Sequence, residues 1–358
     1  MIAATIPFRR VFVLAWWLLI LVTIQVQRGF AQNAPGVVKK EFIYQEAPFP
    51  ECHASTITEL ADGSLIAAWF GGTEEKDPDV GIWFSRFDGS RWSAVREVAN
   101  GVQAQGNRFP CWNPVLFTLP DGTVQLFYKV GPSPRDWWGM ITTTSDAGKS
   151  WSTPRRLPAG ILGPIKNKPV LLSNGALLSG SSTENDHWRV HLELSLDLGQ
   201  TWTKTASLGD VEKFEVIQPT ILNHGKGLLQ ILCRSKQDVI VQATSRNGGI
   251  TWSELSATKL PNPNSGIDAV TLADGRFLLV YNHTTSARSP INVAISEDGE
   301  NWFAAAVLEN SPGEFSYPAV IQSSDGLIHV TYTWKRRKIR HVAIDLKKLK
   351  LEPISVWN

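Results

Sequence analysis

Ser195-Leu196-Asp197-Leu198-Gly199-Gln200-Thr201-Trp202 is one complete copy of an eight-residue pattern, Ser/Thr-x-Asp-x-Gly-x-Thr/Ser-Trp, that recurs along the chain. Thr144, Asp146, Gly148, Ser150 and Trp151 repeat it almost fully, and Ser245 to Trp252 repeats it with Asn247 for the Asp. Looser copies end at Trp92 (SRFDGSRW) and Trp302 (SEDGENW). The five Trp residues, Trp92, Trp151, Trp202, Trp252 and Trp302, are spaced by 59, 51, 50 and 50 residues. Asp or Asn and Gly close a tight turn, small hydroxyls bond its backbone, and Trp pins it to its own sheet. The pattern is a structural clamp on a β-hairpin, and each Asp is occupied by its own turn.

A second turn lies between successive clamps: Asp62-Gly63, Asp121-Gly122, Asn174-Gly175, Asp274-Gly275 and Asp325-Gly326, with Asn223 to Gly227 (NHGKG) serving the fourth repeat. Apolar β-rich runs flank these turns, among them LIAAWF (65–70), VQLFYKV (124–130) and LIHVTYTW (327–334). About four short strands in every 50 residues is the period of one propeller blade. The expected fold is therefore all-β: a six-bladed β-propeller of four-stranded antiparallel blades. The sixth repeat lacks a Trp clamp, and the stretch 37–45 (VVKKEFIYQ) is expected to supply its missing strand and close the ring.

The chain has 358 residues, 43% of them hydrophobic, with 15 Trp against 2 Met and a formal net charge of +2. That charge is too small to imply a nucleic-acid or membrane-surface partner. Arg9 and Arg10 precede the apolar run 11–24 (VFVLAWWLLILVTI), and Gly29 and Ala31 follow it. This reads as a signal peptide over 1–31, with the propeller over 32–358; an uncleaved anchor is the alternative. No second apolar run of spanning length follows, so the mature chain is expected to be secreted or periplasmic. The sequence leaves the oligomeric state open. Three cysteines do not make a disulfide framework. Cys52 and Cys111 fall at equivalent places in adjacent blades and could meet, whereas Cys233 reads as a buried thiol. No zinc-type spacing is present and no cofactor is expected, although the TEEKDPD loop (73–79) could hold calcium.

The clamps resemble the Asp-boxes, or BNR repeats, of the sialidase (neuraminidase) superfamily, and the resemblance runs from about residue 40 to the end. Sialidases bind the substrate carboxylate with an arginine triad, attack through a Tyr–Glu pair and use an Asp as acid/base. The resemblance places the Asp at Asp79, in D-V-G-I-W-F-S before the first clamp. It places two of the arginines at Arg234, in LLQILCR, and Arg288, eight residues before Ser296. The nucleophile falls on Tyr317, eight residues before Asp325. Two positions depart from the family: His53 stands where its first arginine would be, and Gln218 where the Glu that activates the tyrosine would be. Glu215 lies three residues before Gln218.

Aligning the repeats on their turns gives an independent reading. The place eight residues before the turn carries Asn113, Gln218, Gly266 and Tyr317 in different blades, often followed by Pro. Different polar groups at equivalent inward positions suit a built site at the funnel mouth, where propellers bind ligands. Arg234 and Arg288 have planar forks suited to the carboxylate of an acidic sugar, with surface ion pairs as their other reading. A lone His such as His53 can be a ligand, a base or structural. A tyrosine hydroxyl has a pKa of about 10 and needs a base beside it to attack. Trp112, Trp137, Trp138 and Trp188 lie near loops, as stacking platforms for sugars or as core. The expected substrate is an acidic glycan or glycoside, from which an exo-glycosidase would remove the terminal acidic sugar. The alternatives are a polysaccharide lyase on uronate-containing glycans, with His53 and Tyr317 as base and acid, and a non-catalytic glycan-binding propeller.

Overall fold

The computed structural model describes Met1 and residues 34–357. The signal-peptide reading of 1–31 falls, Met1 apart, outside the described residues. Six antiparallel sheets follow one another along the chain, five of four strands and one of five. Blade 1 begins with Glu51–Glu59, blade 2 with Cys111–Thr118, blade 3 with Val170–Leu171, blade 4 with Val216–Gly225, blade 5 with Asp268–Thr271 and blade 6 with Phe315–Gln322. The all-β, six-bladed propeller expected from the repeats is the fold observed. Helix is confined, among the described residues, to two short 3-10 turns, Leu346–Lys348 and Ile354–Trp357.

Ring closure follows the expectation. Val37–Phe42 pairs antiparallel with Lys338–Ile344, so the fourth strand of blade 6 comes from the start of the propeller. Blade 5 gains its fifth strand from Glu352–Pro353, which pairs with Trp302–Glu309.

The clamp turns are built as their composition requires. Ser195 Oγ donates to Asp197 at 2.8 Å and accepts from the Gly199 N–H at 2.7 Å. Asp197 in turn accepts from the Thr201 backbone and hydroxyl at 2.7 and 2.6 Å. Trp202 Nε1 closes the turn on the Gly199 carbonyl at 3.1 Å, and its ring meets Phe127 of the preceding blade edge-on at 6.0 Å. Asp146, Asn247 and Asp298 likewise accept from their own turns, and Trp252 and Trp302 close on Gly249 and Gly299 as Trp202 does on Gly199. Each clamp therefore joins a hairpin to its neighbouring blade, and the apolar clusters lie between and within blades. Cys52, Cys111 and Cys233 are free buried thiols, with Cys52 Sγ accepting from the Tyr44 hydroxyl at 3.0 Å.

Candidate functional site

The innermost strands of four blades break their pairing at equivalent places. Register shifts fall between His53 and Thr56, Trp112 and Val115, Ile217 and Thr220, and Ser316 and Ala319. Within each shift one non-glycine residue takes a left-handed backbone: Ala54 (φ 55°), Asn113 (φ 36°), Gln218 (φ 56°) and Tyr317 (φ 51°). Each such residue costs on the order of 1–3 kcal/mol unless the surroundings enforce it. Bulges of this kind re-aim side chains beside functional sites. Pro114, Pro219 and Pro318 follow three of them and stiffen the turn.

The counterparts in blades 3 and 5 are Lys166 and Gly266. A Cβ at Gly266 would stand 3.3 Å from both Lys166 Cε and Tyr317 Cδ2, a tight contact that the absence of a side chain relieves. Lys166 is buried and crosses the channel: its ammonium donates to Asn167 Oδ1 and the Ile267 carbonyl, both at 2.9 Å, and to the carbonyl of Pro318.

Tyr317 is the centre of the cluster. Its hydroxyl accepts from Arg234 Nη1 at 2.7 Å, and Gln218 Nε2 stands 3.5 Å away. Arg234 also reaches Gln218 Oε1 at 3.5 Å and Asn264 Oδ1 at 2.6 Å. The His53 ring packs against the Tyr317 ring with centroids 4.1 Å apart, and the Arg288 guanidinium lies 5.6 Å from that ring's centre. Trp188 covers Arg234 at 4.9 Å. Of the residues singled out in the sequence, Tyr317, Arg234, Arg288, His53 and Gln218 thus come together from blades 1, 4, 5 and 6. Asn113 occupies the matching bulge of blade 2.

Three others are held by partners of their own. The exposed Asp79 carboxylate accepts from the Thr73 backbone and hydroxyl, so it organises its own loop. Glu215 is bound to Lys236 at 2.7 Å and to the Trp188 N–H at 3.0 Å, and Lys236 together with that backbone contact draws its carboxyl below the usual range. Trp112 is core, its Nε1 bonded to the Gly131 carbonyl.

Several members were not anticipated. Arg336, on the loop after Ile328–Trp334, donates to Glu314 at 3.1 Å and is paired with Glu75. Glu314 accepts from Arg288 on its other oxygen at 2.8 Å. Burial works against its charge, but Arg336 and Arg288 outweigh burial and hold the carboxyl below its ordinary range. Three guanidinium groups therefore border the site. Glu184 follows the strand Leu177–Thr183; burial raises its carboxyl, with Arg234 and Lys236 opposing and Glu75 adding to the rise.

These cations set the state of His53. Burial, then Arg336, Arg288, Arg234 and Lys166, hold its imidazole well below the usual range, so it is neutral. Both ring nitrogens are buried without a partner among the described residues. Burial likewise brings Lys166 down to about 7 against the opposing pull of Asp268. Among the described residues no three His, Cys, Asp or Glu side chains cluster as metal ligands, the TEEKDPD loop included. No helix among the described residues is long and apolar enough to cross a membrane.

Known proteins agree with this architecture. A protein of unknown function from Dyadobacter fermentans superposes with a TM-score of 0.72 at 19% identity, covering 86% of this chain and 98% of that one. A Hadza microbial sialidase gives a TM-score of 0.75 at 17% identity, covering 87% and 69% of the two chains. The NanB sialidase of Streptococcus pneumoniae gives 0.70 at 14% identity, covering 87% and 71%. At such identities the likeness is one of fold. No curated protein matches the sequence. The pattern of the BNR repeat-like domain matches residues 63–330, from the first turn glycine into blade 6. With six blades, five of them carrying the clamp, around a polar funnel, the chain belongs to the BNR repeat-like domain family.

Proposed function

We propose that this chain is an exported enzyme that cleaves a terminal acidic sugar from a glycan, as a sialidase-like glycoside hydrolase with Tyr317 as nucleophile. The observation that carries the reading is the Arg234–Tyr317 contact of 2.7 Å beneath two further guanidinium groups. A carboxylate on the sugar ring fits between planar cationic forks, which bind it bidentately. Binding it there sets the anomeric carbon before the Tyr317 hydroxyl.

Tyr317 Oη then bonds the anomeric carbon as the glycosidic C–O bond breaks. The leaving oxygen takes a proton from Glu184, whose buried carboxyl is inclined to hold one. Water displaces the tyrosine in a second step and returns its proton to Glu184, with net retention. The tyrosine's own proton passes to His53, whose ring packs against the Tyr317 ring, and His53 returns it to the phenolate when water displaces the tyrosine. Free His53 is a poor base because of burial first and the surrounding cations second; a bound carboxylate offsets the cations and makes it a better one. Asp79, spent on Thr73, leaves the acid role to Glu184.

One observation supports a second reading. Neutral His53 with two unpartnered nitrogens, packed on Tyr317, also suits proton abstraction and elimination from a uronate, with Tyr317 donating to the leaving oxygen. Incubation with sialosides, other ulosonic glycosides and uronate-capped glycans separates the two. Release of a reducing acidic sugar supports the hydrolase; an ultraviolet-absorbing unsaturated uronate supports the lyase. Binding without product from any substrate would refute both in favour of a binding module.

A further inference from the structure

A cavity of about 210 Å³ opens between blades 2 and 3, walled by Arg135, Trp137, Trp138, Arg156, Asn185 and Lys204. The loops that form it are those joining second to third strands and blade to blade, the same loop classes that carry Arg336 and Glu314. It therefore opens on the face that bears the funnel mouth. Thr183 and Asn185 both line it, and between them lies Glu184, whose carboxyl feels Arg234. The loop that follows Leu177–Thr183 thus both lines the cavity and carries a carboxyl within the electrostatic reach of Arg234.

The chemistry of its wall is one-sided. Arg135, Arg156 and Lys204 line it and no carboxylate does. The Arg156 guanidinium lies 4.7 Å from the centre of the Trp138 ring. Asn185 Nδ2 donates to the Arg135 carbonyl at 3.0 Å, and Lys204 Nζ to that of Gly160 at 3.0 Å, so the walls are tied to each other. Trp137, only 8% exposed, has no acceptor for its indole N–H among the described residues. Aromatic faces with cations beside them suit a sugar ring that bears a negative charge. The volume lies below the roughly 300–1,000 Å³ of sites for drug-sized molecules, in the range of a single ring.

We propose that this cavity is a second sugar subsite, which holds an anionic sugar next in the chain to the residue in the funnel. The protein then prefers glycans with consecutive acidic sugars over those with one acidic cap on a neutral chain. This rests on the reading of the funnel as an acidic-sugar site.

The test is calorimetric binding by a Tyr317→Phe chain, which cannot turn substrate over. The probes are sialic acid, 3′-sialyllactose and α2,8-linked sialic acid trimer, with galacturonate and trigalacturonate as a second series. The trimer of one series is expected to bind at least about tenfold tighter than its monomer, a difference of about 1.4 kcal/mol. Sialyllactose should stay near the sialic acid monomer. Lys204→Glu and Trp138→Ala, made separately on that background, should each reduce the trimer preference to within about threefold. Lys204 is exposed, so its variant keeps the test valid should Trp138→Ala fold poorly.

Equal binding of monomer and trimer, or a trimer preference that survives both substitutions, overturns the subsite and leaves the funnel reading standing. Trimer binding that Lys204→Glu abolishes and that Arg234→Ala, made on the same background, leaves unchanged, with no monomer binding, keeps the subsite and overturns the funnel reading. Absence of binding by every probe overturns both.

Discussion

Arg234 Nη1 donates to the Tyr317 hydroxyl across 2.7 Å, joining blades 4 and 6 through residues 83 positions apart. The contact occupies one lone pair of the phenolic oxygen and sets a fixed positive charge against it. It also fixes the tyrosine's orientation, which its left-handed backbone and Pro318 already restrict. Gln218, within 3.5 Å of both, adds no charge. The pair is therefore rigid and electropositive, and His53, whose ring nitrogens have no partner among the described residues, packs against its tyrosine.

Tyr317→Phe should bind an acidic glycan within about threefold of the wild-type affinity and lose turnover by at least about a thousandfold. Parallel binding isotherms and steady-state rates check this. Equal losses in both would mean that the hydroxyl positions ligand rather than reacts.

Gln218→Glu places a carboxylate beside the tyrosine and Arg234, and should raise the hydrolysis rate of sialosides by supplying a base of ordinary strength. A rate unchanged or lowered would show that His53, and not position 218, governs the proton.

Arg336→Ala should weaken binding of the substrate carboxylate by about 1.5–3 kcal/mol, the worth of one charge-assisted contact. Lys335→Ala, next to it on the same loop, should do nothing measurable. Similar effects from both substitutions would reduce Arg336 to a general contribution to surface charge.

Proton uptake should accompany binding. Lys166 lies at about 7 because of burial, and His53 lower still because of burial and four neighbouring cations. An anion brought among them favours the protonated form of each, so the complex takes up protons near pH 7–8. Affinity should then fall as pH rises above about 7. Calorimetry in buffers of different ionisation enthalpy reads the uptake directly, and proton release would contradict the arrangement.

Trp202→Ala removes a half-buried ring that meets Phe127 and bonds Gly199. It should cost about 2–3 kcal/mol in chemical denaturation and change kcat less than about twofold below the melting range.

The periodic parts of the molecule were legible because turns punctuate them. Asx-Gly turns and Trp clamps mark the first-to-second and most of the third-to-fourth strand hairpins, and counting eight residues back from a turn leads to the bulges at Asn113, Gln218 and Tyr317. The same count from Asn174 leads to Lys166, so that residue was within reach of the alignment. Arg336 was not. It lies in the run Lys335-Arg336-Arg337-Lys338, where solvated charge is the ordinary reading, and only its turn toward Glu314 and Glu75 sets it apart. The TEEKDPD loop posed the same difficulty in acidic form: Glu75 turns to Arg336 while Asp79 caps Thr73. Loop geometry chose between carboxylates that composition left equivalent.

The seam of the ring has a bearing on synthesis. Blade 6 carries Tyr317 and leads into Arg336, yet its outermost strand is Val37–Phe42, made before any blade. On the ribosome that early strand must wait, unpaired, until nearly the whole chain has emerged, and only then can the last sheet zip shut. Completion of the candidate site and the final topological step therefore coincide. An incomplete nascent chain holds most of the blades but not the full cluster around Tyr317.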